Sequence, residues 1–103
     1  MHVMAHYLVE ARVRADLAPL RRELDTGSVR TLRPFGPSLD HSLRNARRTP
    51  DGTVIWEELD FCSPPLAQER KALLDRYFED IRTTPVAEGD GWKRIEAYPS
   101  VWD

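Results

Sequence analysis

Within itself this chain cannot build a disulfide: its 103 residues include one cysteine, Cys62. Charge of one sign is also missing. Fifteen basic residues face seventeen acidic ones, a net charge of −2, so no global field recruits nucleic acid or an anionic membrane. No apolar run approaches the ~20 residues of a membrane-crossing helix. The opening "MHVMAHYLVEARV" lacks the basic, apolar and small-residue regions of a signal peptide, which makes a cytoplasmic location the expectation. There is no internal repeat and no low-complexity segment. No Cys/His cluster has zinc spacing, and no cofactor is expected. What remains is 41% hydrophobic and 31% charged, the composition of one globular domain over 1–103 with a short aromatic tail at 99–103.

The patterned stretches come in a definite order. Residues 3–13 alternate: Val3, Ala5, Tyr7, Val9, Ala11 and Val13 on one face, Met4, His6, Leu8, Glu10 and Arg12 on the other, which predicts a first strand. Asp16 suits a helix N-cap, Pro19 the first turn, and Leu17, Leu20 and Leu24 an apolar stripe that Gly27 ends. Residues 29–33 are read as the start of a second strand, broken by Pro34, Gly36 and Pro37. "TPDG" at 49–52 predicts a hairpin between residues 41–49 and 53–61. With Thr49 facing Thr53, Leu43 meets Leu59 and Arg44 meets Glu58. Ser63-Pro64-Pro65 forms a stiff elbow into a helix over 66–82, with Leu66, Leu73, Leu74, Tyr77, Phe78 and Ile81 as its buried stripe. Residues 91–98 read as the last strand.

The order β-α-β-β-α-β is that of an α+β ferredoxin-like sandwich: an antiparallel sheet with two helices on one face, its two central strands expected to be parallel. Strand one then lies between strands three and four. Val3, Ala5, Val9, Ile55, Leu59, Phe61, Ile95 and Ala97 form the helix-covered face. The opposite face gathers Met4, His6, Leu8, Glu10, Val54, Trp56, Glu58, Asp60, Cys62, Trp92, Arg94, Glu96 and Tyr98. A face so rich in aromatics calls for a cover, and a second copy of the chain is the simplest one.

This element order and half-apolar sheet face resemble the dimeric α/β-barrel families. The resemblance implies two ferredoxin-like subunits packed sheet to sheet around a cavity, a plan shared by small monooxygenases, isomerases and binding proteins. Separately, "CSPPLAQER" at 62–70 resembles a segment of small uncharacterised bacterial proteins and implies no activity.

Several residues carry candidate chemistry, each with a plainer alternative. His6 beside Glu10, Glu58 or Asp60 has the makings of an acid–base group, and His6 and Glu58 are the catalytic candidates; the alternative is a histidine packed at a dimer interface. His2 and His6 lie ~13 Å apart on a strand and cannot share a metal. Cys62, near a helix start, is either a reactive thiolate or a small residue filling the elbow. Arg70 either grips an anionic ligand or ties its helix to Asp60 or Glu69. Arg44, Arg47 and Arg48 cluster at the hairpin without the aromatic or glycine patterns of RNA-binding modules, so a nucleic-acid contact is not expected. Trp92, Tyr98 and Trp102 serve as pocket walls or interface anchors. The expected function is binding, with or without transformation, of a small organic molecule in a homodimer cavity lined by His6, Trp56, Glu58, Asp60, Arg70, Trp92, Arg94 and Tyr98. The alternative is a non-enzymatic module that docks a partner protein on the aromatic face.

Overall fold

The computed structural model describes residues 5–60 and 64–103. Expectations for His2, Val3, Met4, Phe61, Cys62 and Ser63 fall outside these residues. Strand β1 (Ala5–Val13) alternates as its sequence predicts: Val9 and Ala11 are buried, and Tyr7 and Val13 pack against the same core. Helix α1 (Ala18–Thr26) buries Leu20 and Leu24. Asp16 Oδ1 accepts the Ala18 N–H at 3.0 Å, and Gly27, at φ 81°, closes the helix in the left-handed conformation that glycine adopts without strain.

The path from 29 to 48 corrects the sequence reading. Val29–Thr31 forms a single 3-10 turn rather than a strand, and Gly36–Arg44 is a second helix, α2. Phe35, Leu39 and Leu43 recur every four residues and all are buried, a helical period that outweighs the hairpin pairing. The hairpin arm shrinks to β2 (Arg47–Arg48). Leu43 therefore does not meet Leu59, and Arg44 binds Asp40 rather than Glu58. The turn itself is as predicted. Thr49 N–H donates to Thr53 O at 2.9 Å, and Gly52 takes φ 88°.

After β3 (Val54–Asp60) comes the helix α3 over residues 67–77, which contains a π turn at Arg70–Leu74. Leu66, fully buried with φ 63°, is not helical, so the helical phase starts at Ala67. This turns Glu69 inward and leaves Arg70 exposed. The helix stops at Tyr77 instead of Arg82: Phe78 is extended, and Phe78–Val86 forms strand β4. Ile81, Thr83, Thr84 and Val86 are β-branched, which suits a strand better than a helix end. Residues 91–98 are not a strand. Asp90–Ile95 forms a short helix, α4, because a carboxylate from β3 captures its first N–H groups.

The sheet order is β2-β3-β1-β4, and every neighbouring pair is antiparallel. Both crossovers skip a strand: β1 and β2 run parallel with β3 between them, and β3 and β4 run parallel with β1 between them. The central pair, β1 and β3, is consequently antiparallel and not parallel. A hairpin that reverses the chain after a parallel crossover leaves β3 no other direction.

In this register Val9 faces Trp56 and Tyr7 faces Glu58, so the even-numbered residues of β3 point into the core. One apolar cluster joins Val9, Ala11, Val54 and Trp56 with Leu20, Leu24, Leu39, Leu43, Leu73 and Leu74, so α1, α2 and α3 cover one face. Ile55 and Ile95 are buried apart from that cluster, with α4 on the other face. The expected two-helix cover of a single face becomes three helices on one side and a short one on the other.

Gly36 lies where a side chain has no room, since a Cβ there would sit 2.7 Å from the carbonyl oxygens of Val29 and Arg30. Gly36→Ala is expected to cost about 1–3 kcal/mol, read as a lower urea midpoint at unchanged slope.

Candidate functional site

The far face of the sheet brings together the residues that could do chemistry. Alternation along β1 points His6 away from the core, opposite Leu59 of β3. The next outward residue of β3 is Glu57, 4% exposed. Its carboxylate accepts the backbone N–H groups of Gly89 at 2.9 Å, Gly91 at 2.7 Å and Trp92 at 3.3 Å, so a strand side chain closes the start of α4. Glycine at 91 leaves room for this approach: a Cβ there would lie 2.8 Å from Glu57 Oε1 and 3.2 Å from its Cβ, so the Glu57 side chain would have to shift. From the other side, Ser42 of α2 donates to the Glu57 backbone oxygen at 2.8 Å.

His6 sits against this anchor. Its Nδ1 lies 3.4 Å from Glu57 Oε2, and its Nε2 lies 3.4 Å from Glu88 Oε1. The two carboxylates differ in setting, because Glu57 is buried and Glu88 is 82% exposed. Pro37, Ser38 and His41 of α2 and Trp92 of α4 line the same open cleft of about 520 Å³. The His41 ring meets the Trp92 indole edge-on at 6.3 Å. An imidazole with one nitrogen 3.4 Å from a buried carboxylate and both carboxylate neighbours lining a cleft of this size can bind a polar group or move a proton.

Of the residues expected to line a site, His6 and Trp92 meet here. Trp92 arrives on a helix rather than a strand. The others lie elsewhere. Trp56 is fully buried, stacked against Phe78 at 5.4 Å, with its indole N–H donating to Glu58 Oε1 at 3.1 Å. Glu58 and Asp60 share that inner face, so the pairing of His6 with Glu58 does not form. Glu10 faces Arg82, lining a separate polar groove with Arg12 and Asp80. Arg70 pairs with Asp75, not with Asp60 or Glu69. Arg94 is exposed and pairs with Asp90 at 3.0 Å. Tyr98 offers its backbone oxygen to Arg47 at 2.8 Å, and Trp102 donates to Leu43 O at 2.8 Å. Arg44 and Arg47 are thus taken up in holding the fold together. The aromatic sheet face expected from the sequence is dispersed among the core, α4 and the tail.

Sequence reasoning missed Glu57, Glu88 and His41. Glu57 left a signal: it is the single acidic residue between Ile55 and Leu59 on one side of a strand. Among the described residues no group of three or more His, Cys, Asp and Glu side chains is arranged to hold a metal ion, and no helix is long and apolar enough to cross a membrane. No protein family, curated protein or solved structure matches this chain.

On the inner face, Glu58, Asp60 and Glu69 are all at most 1% exposed. Burial, then the negative charge of Glu69, pushes the Glu58 carboxyl well above its ordinary range, while the Trp56 hydrogen bond opposes this. Among the described residues, none donates a hydrogen bond to Glu58 Oε2 or to either Asp60 oxygen. A raised folded-state pKa gives stability that is full below the unfolded value near 4.5 and is lost as pH rises through the folded value. Glu58→Gln keeps the acceptor for Trp56 and removes the ionisation. The variant should gain on the wild type progressively above pH 5, roughly 4–8 °C in Tm for each kcal/mol recovered. Parallel Tm-against-pH curves would count against a strained Glu58.

Proposed function

We propose that this chain is a ferredoxin-like domain that binds a compact organic molecule in the cleft beside His6, with His6 as the group that contacts or protonates it. The single observation that carries this reading is the His6 imidazole 3.4 Å from the buried, backbone-anchored Glu57, in a cleft that Trp92 helps to line. The two strand-skipping crossovers support the ferredoxin-like assignment. The anchored carboxylate supports a positioned base or acid: Glu57 fixes the ring, and the ring presents Nε2. A module that docks a partner through an aromatic sheet face has less support, because Trp56 belongs to the core.

A homodimer remains part of the proposal on a smaller surface. Leu8, Leu59 and Val86 lie half-buried on the sheet face away from α1, α2 and α3, around His6. A second copy seated there would deepen the cleft. All the walls described above come from one chain, so the binding reading does not require the dimer. Light scattering over a concentration series is expected to show association that Leu8→Lys weakens. A monomer at every concentration removes the second copy and leaves the cleft.

A fragment screen by protein-observed NMR tests the binding reading. Hits should shift the Gly89 and Trp92 amides and the His6 ring. Trp92→Ala and His6→Ala should each weaken the best hit about tenfold, or ~1.4 kcal/mol. Hits that bind both variants as well as the wild type would place the site elsewhere.

A further inference from the structure

We propose that the ligand of this cleft is a compact organic cation of the primary-amine class, whose ammonium group sits between His6 Nε2 and Glu88. This inference rests on the binding reading above and adds the ligand's chemical class.

The lining of the cleft is acidic. Among the described residues it holds two carboxylates, Glu57 and Glu88, and no Lys or Arg. Glu57 accepts the Gly89, Gly91 and Trp92 N–H groups, which is how a carboxylate bonds. His6 stands between the two acids, with Nδ1 3.4 Å from Glu57 Oε2 and Nε2 3.4 Å from Glu88 Oε1. A neutral imidazole has one N–H and one lone pair, so it can donate to one of these carboxylates and not to both. With the N–H toward the buried Glu57, the Nε2 lone pair faces the oxygen of Glu88. Two acceptors then meet with no proton between them. An ammonium group supplies what is missing: one N–H to Nε2, one to Glu88, and a positive charge between two carboxylates. Trp92 adds an indole, the side chain whose ring attracts cations most strongly. The carbon skeleton of the ligand rests on Leu59 and Pro37.

An anionic ligand fits this arrangement poorly, because it would meet both carboxylates without a compensating base. Lys93 and Arg47 line a neighbouring hollow that shares only His41 and Trp92 with this cleft, and Arg47 is bound to Tyr98 O. A neutral donor could satisfy His6 Nε2 but would leave the charge of the two acids unbalanced.

Four probes built on one ring separate these cases: benzylamine, benzyltrimethylammonium, benzyl alcohol and benzoate, titrated into isotopically labelled protein and followed at His6 and Trp92. Benzylamine is expected to bind tightest. Benzyltrimethylammonium has the charge without the N–H groups and should bind at least fivefold more weakly; equal binding would overturn the ammonium bridge. Glu88→Gln should weaken benzylamine at least fivefold and leave benzyl alcohol within twofold. Glu79→Gln removes the same charge near the far end of β4, where Glu79 faces Arg12 rather than His6, roughly 20 Å along the strands. It should change benzylamine by less than twofold. Equal weakening by both variants would mean general charge and would overturn the role of Glu88. Benzyl alcohol or benzoate binding at His6 and Trp92 better than benzylamine would overturn the cation inference and keep the binding reading. So would other fragments shifting His6 and Trp92 while benzylamine does not. Absence of binding by all four at millimolar concentration, with fragments of any charge also failing, would overturn both.

Discussion

The Glu57 carboxylate is the constraint on which the far side of this fold depends. A buried carboxylate is costly unless its lone pairs are occupied, and each charge-assisted hydrogen bond is worth about 1.5–3 kcal/mol. Glu57 obtains three such donors from the turn that starts α4. The exchange is mutual. Those N–H groups have no partner inside a helix of six residues, and without an acceptor the segment has little reason to be helical. Once α4 is held, Trp92 is placed against His41, Ile95 is buried, and the chain is aimed back toward β2, where Arg48 N–H donates to Pro99 O at 2.9 Å. His6 adopts its position against a group that is already fixed. The order of dependence runs from strand to helix to cleft.

Glu57 and Glu58 are adjacent and chemically opposite. Strand alternation sends one outward into a set of backbone donors and the other inward beside Trp56. Inside, Glu58 accepts the Trp56 indole N–H at Oε1, and Asp60 and Glu69 add negative charge. Glu58 is therefore a source of pH-dependent instability, while Glu57 is a source of order. Burial alone does not distinguish the two residues, since both are below 5% exposed; the supply of donors does.

How much of this was legible in the sequence follows from which interactions each element depends on. Local signals read correctly: the alternation of β1, the stripe of α1 ended by Gly27, the Thr49–Thr53 turn. The α+β class with an antiparallel sheet agrees with the expectation, but the fourth strand is Phe78–Val86 and not residues 91–98. Three readings failed for want of tertiary information. In "VIWEELD" both alternations mix apolar and acidic residues, and the choice of face is decided by where Trp56 finds room, next to Phe78. "HSLRNARR" lies between a helical and a strand period, and Phe35 and Leu39, upstream, decide for the helix. "GWKRIEAY" has strand-like composition and becomes helical because of an acceptor more than thirty positions earlier in the chain.

The candidate site illustrates the same limit from the side of function. His6 and Trp92 were identifiable because an imidazole and an indole are unusual by residue type. Their neighbours were not, because the groups that give His6 its orientation are main-chain N–H donors, which every residue carries and no motif displays. Gly91 is the closest thing to a written signal: a Cβ there would crowd the Glu57 side chain. A site assembled in this way has few distinctive side chains, so short sequence motifs are a poor guide to it.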